Sequence, residues 1–192
     1  MNVVVFVLTS ADGKLQTQLS LFGPAVANGE WYRLVSSGFV HYGLLHIGFN
    51  MLLLYQLGLI LEPALGRLRF VALYFAALLA GSFGALLLSP IVLSAGASGA
   101  VFGLFGAAAV GLRQRGVKVM QTGIGALLVI NLILTFAVPG ISVGAHVGGL
   151  VGGALTGWFM LHPARQSKLA GAGVAAVVIA ASVVGALSAA HG

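Results

Sequence analysis

Long apolar stretches, broken by prolines, glycines and small groups of charged residues, occupy most of this chain. Seven of them predict helices, which we number TM1 to TM7 in chain order. Because about 20 apolar residues cross the hydrocarbon core of a bilayer, the pattern predicts an all-α polytopic membrane protein with a single domain. The predicted ranges are 2–8, 44–62, 68–88, 98–112, 119–138, 143–161 and 170–189.

Two parts of the pattern depart from a regular bundle. Residues 2–8 would cover only about 10 Å as a helix, at 1.5 Å per residue. We therefore expect them to be the tail of a first helix that begins upstream of this sequence. Residues 9–43 form the one long polar-containing connection, which predicts a functional outer loop. This loop contains Trp31 and Tyr32, residue types that favour a membrane interface, and Arg33.

TM4 is predicted to be short and central. Its range would measure roughly 22 Å as a helix, less than the hydrocarbon core of about 30 Å. The preceding apolar linker, 91–97, can dip into the membrane. Non-helical backbone at that depth must be buried in protein or line a wet cavity. The pattern therefore predicts Ser98 at the bottom of a water-filled cavity.

Charged residues are scarce and their sign is biased. The chain is 59% hydrophobic and 6% charged, whereas a soluble domain carries about 25% charged residues. There is no cysteine, which excludes disulfides and cysteine-ligated metals. The formal charge of +6 comes from basic residues scattered through short loops, so we predict a lipid bilayer and no nucleic acid as partner.

The basic residues fall in alternate loops, which predicts an orientation. Loops 89–97 and 139–142 contain no charge. The positive-inside rule predicts the basic loops in the cytoplasm, and loop 9–43 and the C-terminus outside. We expect a multi-pass protein of the cell membrane in which TM2, TM4 and TM6 all run from outside to inside. The basic loops carry Arg67 and Arg69; Arg113, Arg115 and Lys118; and Arg165 and Lys168.

Three predicted helices carry polar groups near their outer ends. His46 is early in TM2, Ser98 opens TM4 and His146 is near the start of TM6. A hydroxyl within hydrogen-bond reach of a histidine is the arrangement of an activated serine nucleophile. Ser98 is therefore the candidate nucleophile, and His146 is the candidate general base.

Glycine stripes on TM4 and TM6 favour this convergence, because membrane helices approach closely where both faces are small. Backbone-to-backbone packing of the two helices would bring the imidazole to the hydroxyl. The stripes are Gly99, Gly103 and Gly106 on TM4, and Gly149, Gly153 and Gly157 on TM6.

Donors for an oxyanion are also available. His46 and Asn50 are spaced i, i+4 and share one helix face. The backbone N–H of Ser98, at the positive end of a helix dipole, is a further donor. The acidic residues lie outside this constellation, so we predict a Ser–His dyad rather than a triad. They are Asp12, Glu30 and Glu62.

Each polar residue also has a structural interpretation. A serine in a glycine-rich membrane helix usually only packs, and a buried histidine or asparagine can make an interhelical bond or line a transport path. We assign Asn131 to an interhelical hydrogen bond and His41 to the interface. The combination at one depth favours catalysis over a transporter and over a silent protein that binds or escorts membrane segments.

Four short motifs occur in a fixed order on successive elements. They are Trp31-Tyr32-Arg33, His41-x4-His46-x3-Asn50, Gly96-Ala97-Ser98-Gly99 and Gly144-Ala145-His146-x2-Gly149-x3-Gly153. Together they resemble the rhomboid family of intramembrane serine proteases, with a six-helix core plus a C-terminal helix. The resemblance covers the chain from about residue 29 to residue 161.

The resemblance implies a serine-type endopeptidase that cleaves transmembrane segments of other membrane proteins near the outer face, without a metal or cofactor. It implies Ser98 as nucleophile and His146 as general base. It also implies an oxyanion hole of His46, Asn50 and the Ser98 amide, and an outer loop organised by Arg33. Packing support is implied from Gly96, Gly99, Gly103, Gly149 and Gly153, and from Phe102, which stands where many members have a tyrosine against the imidazole.

Overall fold

The protein is an α-helical bundle in the computed structural model, which describes residues 1–162 and 168–191. Within those ranges the chain forms helices and no β-strand, so the predicted all-α class is confirmed. In chain order, helices α1 to α10 span Asn2–Ala11, Gly13–Leu19, Gly23–Ala27, Arg33–Ser36, Leu44–Leu65, Arg67–Leu88, Ser98–Gln114, Gly123–Ala137, Val143–Met160 and Lys168–His191.

Three helices in the described ranges are long and apolar enough to cross a membrane, and they are Leu44–Leu65, Arg67–Leu88 and Gly171–His191. Their exposed surfaces carry large apolar side chains such as Leu52 and Leu59 of α5. An apolar exterior of this kind suits contact with lipid. The structure is that of a multi-pass membrane protein.

Local chemistry sets the helix boundaries. α5 runs through Pro63 to Leu65, beyond the predicted end at residue 62, and it ends at Gly66 with φ +76°. α8 begins later than the predicted TM5. Residues Val119–Gln121 form a 3-10 turn, and the Thr122 hydroxyl then caps α8 by accepting from the Gly125 N–H at 3.3 Å, which ends one element and starts the next.

The centre of the bundle is α7. It packs against α6 and α9, which also pack against each other, while α5 and α10 lie outside this trio. Phe105 and Leu104 of α7 are fully buried. The first turn of α7 therefore lies inside the bundle.

Glycine backbones form the contact between α7 and α9. A Cβ added at Gly149 would collide with the carbonyl group of Gly99, and one added at Gly153 would collide with the backbone of Gly103. Only glycine allows such an approach of two helices. The structure thus brings the two predicted stripes together.

The connection before α5 is folded rather than extended. It contains α2, α3, α4 and a 3-10 turn, Ser37–Phe39, and it leaves Trp31 61% exposed at its surface. An antiparallel β-bridge between Leu21 and Ser94 joins this connection to the bundle. The loop therefore touches the segment that leads into α7.

Arg33 ties this loop together. Its Nη1 donates to the carbonyls of Thr17 at 2.6 Å and Ser20 at 2.7 Å, and its Nη2 lies 2.7 Å from Glu30 Oε2. Hydrogen bonds from Tyr32, and then from Arg33, lower the pKa of Glu30. The guanidinium is nearly buried, and its nitrogens all have acceptors, the Thr17 and Ser20 carbonyls and the partly exposed Glu30 carboxylate.

Two of the loops predicted to be basic lie at the end of the bundle opposite Ser98. Arg67 begins α6, Arg113 lies in the last turn of α7, and Gln114 Nε2 donates to the Trp158 carbonyl of α9 at 2.8 Å. Arg165 lies outside the described residues. The orientation of this end in a membrane stays a prediction.

We expect Gly153→Ala to lower the free energy of unfolding by about 1–3 kcal/mol, because the added methyl collides with the Gly103 backbone and overpacks the contact. Gly48→Ala is the control, since a Cβ there meets no atom within 4 Å. It should be neutral or stabilising by up to about 1 kcal/mol. Unfolding titrations in detergent micelles measure both, and equal values would contradict the packing argument.

We expect Arg33→Lys to loosen the loop between α1 and α5, because an ammonium cannot reproduce the guanidinium fork that serves two carbonyls and a carboxylate. Hydrogen exchange of residues 13–39 should become faster. Arg67→Lys is the matched control, since that side chain is 87% exposed and lies 3.6 Å from Glu62. Unchanged exchange in the Arg33 variant would show that the fork does not hold the loop.

Candidate active site

Ser98 begins α7, and the segment before it is held on both sides. Ser94 exchanges backbone hydrogen bonds with Leu21 at 2.8 and 3.0 Å, and the Gly96 N–H donates to the Ser37 carbonyl at 2.9 Å. Gly96 has φ +130°, a conformation that L side chains rarely adopt. The linker is thus anchored to the outer loop, and Ser98 is presented from a fixed backbone.

His41, which we expected at the membrane interface, contributes to this anchoring from inside the protein. The side chain is 0% exposed, its Nδ1 lies 3.2 Å from the Phe39 carbonyl, and its Nε2 accepts from the Ala97 N–H at 3.4 Å. Burial lowers the pKa of His41 to about 4, which keeps this ring neutral and able to accept. His41 therefore positions the residue before Ser98.

Ser98 and His146 are in direct contact. Ser98 Oγ and His146 Nε2 are 2.8 Å apart, and His146 is 7% exposed. The Ser142 hydroxyl caps α9 by accepting from the Ala145 N–H at 3.2 Å, which places His146 in the first turn. Phe102 stacks on the imidazole with centroids 4.1 Å apart and planes at 18°. These contacts fix the orientation of the imidazole plane beside the Ser98 hydroxyl.

A third polar side chain contacts the imidazole, and sequence reasoning missed it. Thr135 Oγ1 of α8 lies 2.7 Å from His146 Nδ1. Asn131, expected to bond between helices, instead donates to the Leu127 carbonyl of its own helix at 2.8 Å. The available signal was position, because a residue late in TM5 shares the depth of residues early in TM4 and TM6.

His46 faces the same space from α5. The Tyr42 N–H donates to its Nδ1 at 3.2 Å, so in a neutral ring the proton lies on Nε2. That Nε2 lies beside Gly96. A Cβ added to Gly96 would be 2.7 Å from His46 Nε2 and 3.6 Å from Ser98 Oγ. Asn50 is buried and donates to the His46 carbonyl at 2.8 Å, which leaves its second amide hydrogen available.

These side chains line one cavity of about 560 Å³. Its wall includes Ser98, His146, His46 and Asn50, together with the α8–α9 connection around Gly140. A serine, a neutral histidine and several N–H donors around one space can perform acyl transfer. In the described ranges no cluster of three or more His, Cys, Asp or Glu side chains could hold a metal ion.

The comparisons with known proteins agree with one another. A family model described as Rhomboid domain matches residues 28–163. The chain is 38% identical over 159 residues to rhomboid protease GluP of Bacillus subtilis, covering 79% of this chain and 31% of GluP. It is 35% identical over 134 residues to the YdcA protein of the same bacterium, covering 68% of this chain and 67% of YdcA.

A plant relative shows the same similarity. RHOMBOID-like protein 4 of Arabidopsis thaliana is 35% identical over 159 residues, covering 77% of this chain and 39% of that protein. The chain thus spans about a third of the length of GluP and about two fifths of the length of this plant protein. The family match covers more than half of the chain and includes every residue of the cavity wall named above. This chain therefore belongs to the rhomboid family.

Proposed function

We propose that the chain is a serine-type endopeptidase that cleaves transmembrane segments of other membrane proteins. The observation that carries this proposal is the 2.8 Å contact between Ser98 Oγ and His146 Nε2 at the wall of a cavity inside the bundle. A buried histidine in a membrane protein is costly. Its contact with a serine at a helix start is explained if the imidazole acts as the general base for that serine.

Acylation begins with the Ser98 hydroxyl. The Ser98 oxygen attacks the carbonyl carbon of the scissile peptide while its proton passes to His146 Nε2. The tetrahedral intermediate then collapses as His146 returns that proton to the leaving amine. The products of this half-reaction are an ester that joins the amino-terminal fragment to Ser98 and a free carboxy-terminal fragment with a new amino terminus. Water attacks the ester with His146 again as base, and this step regenerates the hydroxyl.

The negative oxygen of the intermediate needs donors. The His46 Nε2–H, the second amide hydrogen of Asn50 and the Ser98 backbone N–H border the space in front of the hydroxyl. The Ser98 amide is in the first turn of α7, where helix N–H groups lack intrahelical partners. Removing one donor from such a site costs about 2.7–4 kcal/mol of transition-state stabilisation. We assign the oxyanion hole to these three groups.

Hydrolysis within a membrane also needs water. We propose that water reaches Ser98 through the cavity of about 560 Å³, whose wall carries hydroxyl, imidazole and amide groups. We propose that it opens to the outer side of a cell membrane, with the basic loops in the cytoplasm. The scissile bond would then lie near the outer end of the substrate helix, which must unwind to reach Ser98.

The test is cleavage of a reporter transmembrane segment in proteoliposomes. The chain should cleave, while Ser98→Ala and His146→Ala should each lose about a thousandfold or more, because nucleophile and base act as one unit. Ser182→Ala, at a buried serine of α10, is the matched control and should retain activity. Cleavage that persists in both site variants would overturn the proposal.

A fluorophosphonate provides an independent readout of the nucleophile. It should label the folded chain at Ser98 and fail to label Ser98→Ala. Absence of both cleavage and labelling in folded protein would favour the silent binding or escort function instead.

We expect Gly96→Ala to slow cleavage about tenfold or more, because the new Cβ would lie 2.7 Å from His46 Nε2 and displace an oxyanion donor. Gly116→Ala is the control. It introduces a side chain at another positive φ, +76°, but meets no atom within 4 Å. Cleavage rates of the two variants, normalised to folded protein, separate the displacement from backbone strain. Equal rates would contradict the role of His46.

A further inference from the structure

We infer that Thr135 is a positioning residue for the general base: its hydroxyl fixes the tautomer of His146 that leaves Nε2 free to accept the Ser98 proton. This inference rests on the proposed function. Besides Ser98 and Phe102, the imidazole would then have a third partner, the uncharged Thr135 hydroxyl, which lies on a different helix.

Three short contacts run in series through these residues. Thr135 Oγ1 lies 2.7 Å from the Asn131 carbonyl of its own helix and 2.7 Å from His146 Nδ1. His146 Nε2 lies 2.8 Å from Ser98 Oγ. Thr135 is 2% exposed, so water cannot readily replace its hydroxyl as the partner of His146 Nδ1.

The hydrogens of this series have a single consistent arrangement. A carbonyl only accepts, so the contact with Asn131 requires the Thr135 proton. The Thr135 oxygen must then accept from His146, and the neutral ring carries its hydrogen on Nδ1. Nε2 is therefore bare, and the contact with Ser98 requires the serine proton. The opposite tautomer would leave the Thr135 hydroxyl unable to make both of its contacts.

This arrangement matters when His146 takes the serine proton. Both ring nitrogens then donate, and Nδ1–H keeps its acceptor on Thr135 throughout the step. In serine proteases with an acidic third residue, a buried carboxylate orients the histidine in the same way. Here the acidic residues are absent from the site, and a hydroxyl orients the ring without adding a charge to the bundle interior.

Thr135 adds something that Phe102 does not provide. The stacked phenyl ring restricts the imidazole plane but has no polar atom to choose between the two ring nitrogens. The hydroxyl makes that choice. Because Thr135 is on α8, while Ser98 and His146 are on the glycine-packed pair α7 and α9, the readiness of the base depends on where α8 lies.

The test compares hydroxyl removal with hydroxyl retention. Thr135→Val keeps the shape and removes the hydroxyl, and Thr135→Ser keeps the hydroxyl. Thr156→Val is the matched control, because Thr156 is fully buried and donates to the Gly152 carbonyl at 2.8 Å. It lies ten residues, or about 15 Å, along α9 from His146.

Nitrogen NMR of 15N-histidine protein in micelles at neutral pH reads the tautomer directly. The His146 signal is the one lost in His146→Ala. We expect Nδ1–H with a bare Nε2 in the natural protein, in Thr135→Ser and in Thr156→Val, and a mixture of tautomers in Thr135→Val. If valine disturbs folding, Thr135→Ala removes the same hydroxyl without adding a methyl group.

Reporter cleavage gives the second readout. In Thr135→Val we expect kcat to fall about tenfold with KM unchanged, while Thr135→Ser and Thr156→Val stay within a few fold of the natural protein. An Nε2–H tautomer in the natural protein, an unchanged tautomer in Thr135→Val, or an equal loss of kcat in Thr156→Val would overturn the inference.

The NMR result also separates the two proposals. If the natural protein fails to cleave in a Ser98-dependent manner, the proposed function fails. The tautomer of His146 and its response to Thr135→Val still decide whether Thr135 positions the ring.

Discussion

Backbone contact between α7 and α9 is the constraint on which the rest of this structure depends. Ser98 and His146 lie in the first turns of these helices, and a 2.8 Å contact between their side chains requires closely packed axes. Gly149 against the Gly99 carbonyl removes the Cβ that would hold the helices apart. Between membrane helices the hydrophobic effect contributes little, so van der Waals contact of this kind supplies the attraction.

A second constraint acts on the polar groups that this packing buries. Three of them have partners that they also hold in place. His41 holds the Ala97 amide, Arg33 holds two loop carbonyls, and Thr135 contacts His146. Because an unpaired polar group in such surroundings costs several kcal/mol, the network that keeps the fold intact is also the one that shapes the cavity.

Sequence reasoning located the residues whose presence in a membrane helix is unusual. Ser98, His146, His46 and Asn50 all border the cavity, and their order along the helices was enough to group them. The anchoring role of His41 was missed because a histidine beside a predicted helix start suggests an interfacial residue, whereas here the linker before α7 donates a hydrogen bond to it. Thr135 was missed because a threonine in an apolar helix ordinarily bonds to its own backbone, as Thr156 does here.

The sequence by itself determined the all-α membrane class of the protein, and it singled out the candidate serine and histidine. Those properties follow from apolar length, from helix-breaking residues and from the helical repeat, all of which are local. Only the tertiary structure decided which nitrogen of each histidine meets which neighbour. Contacts such as Thr135 with His146, or His41 with Ala97, depend on the depth and rotation of separate segments to within about an ångström, because hydrogen bonds require distances near 3 Å. No periodicity within one segment encodes its alignment with another.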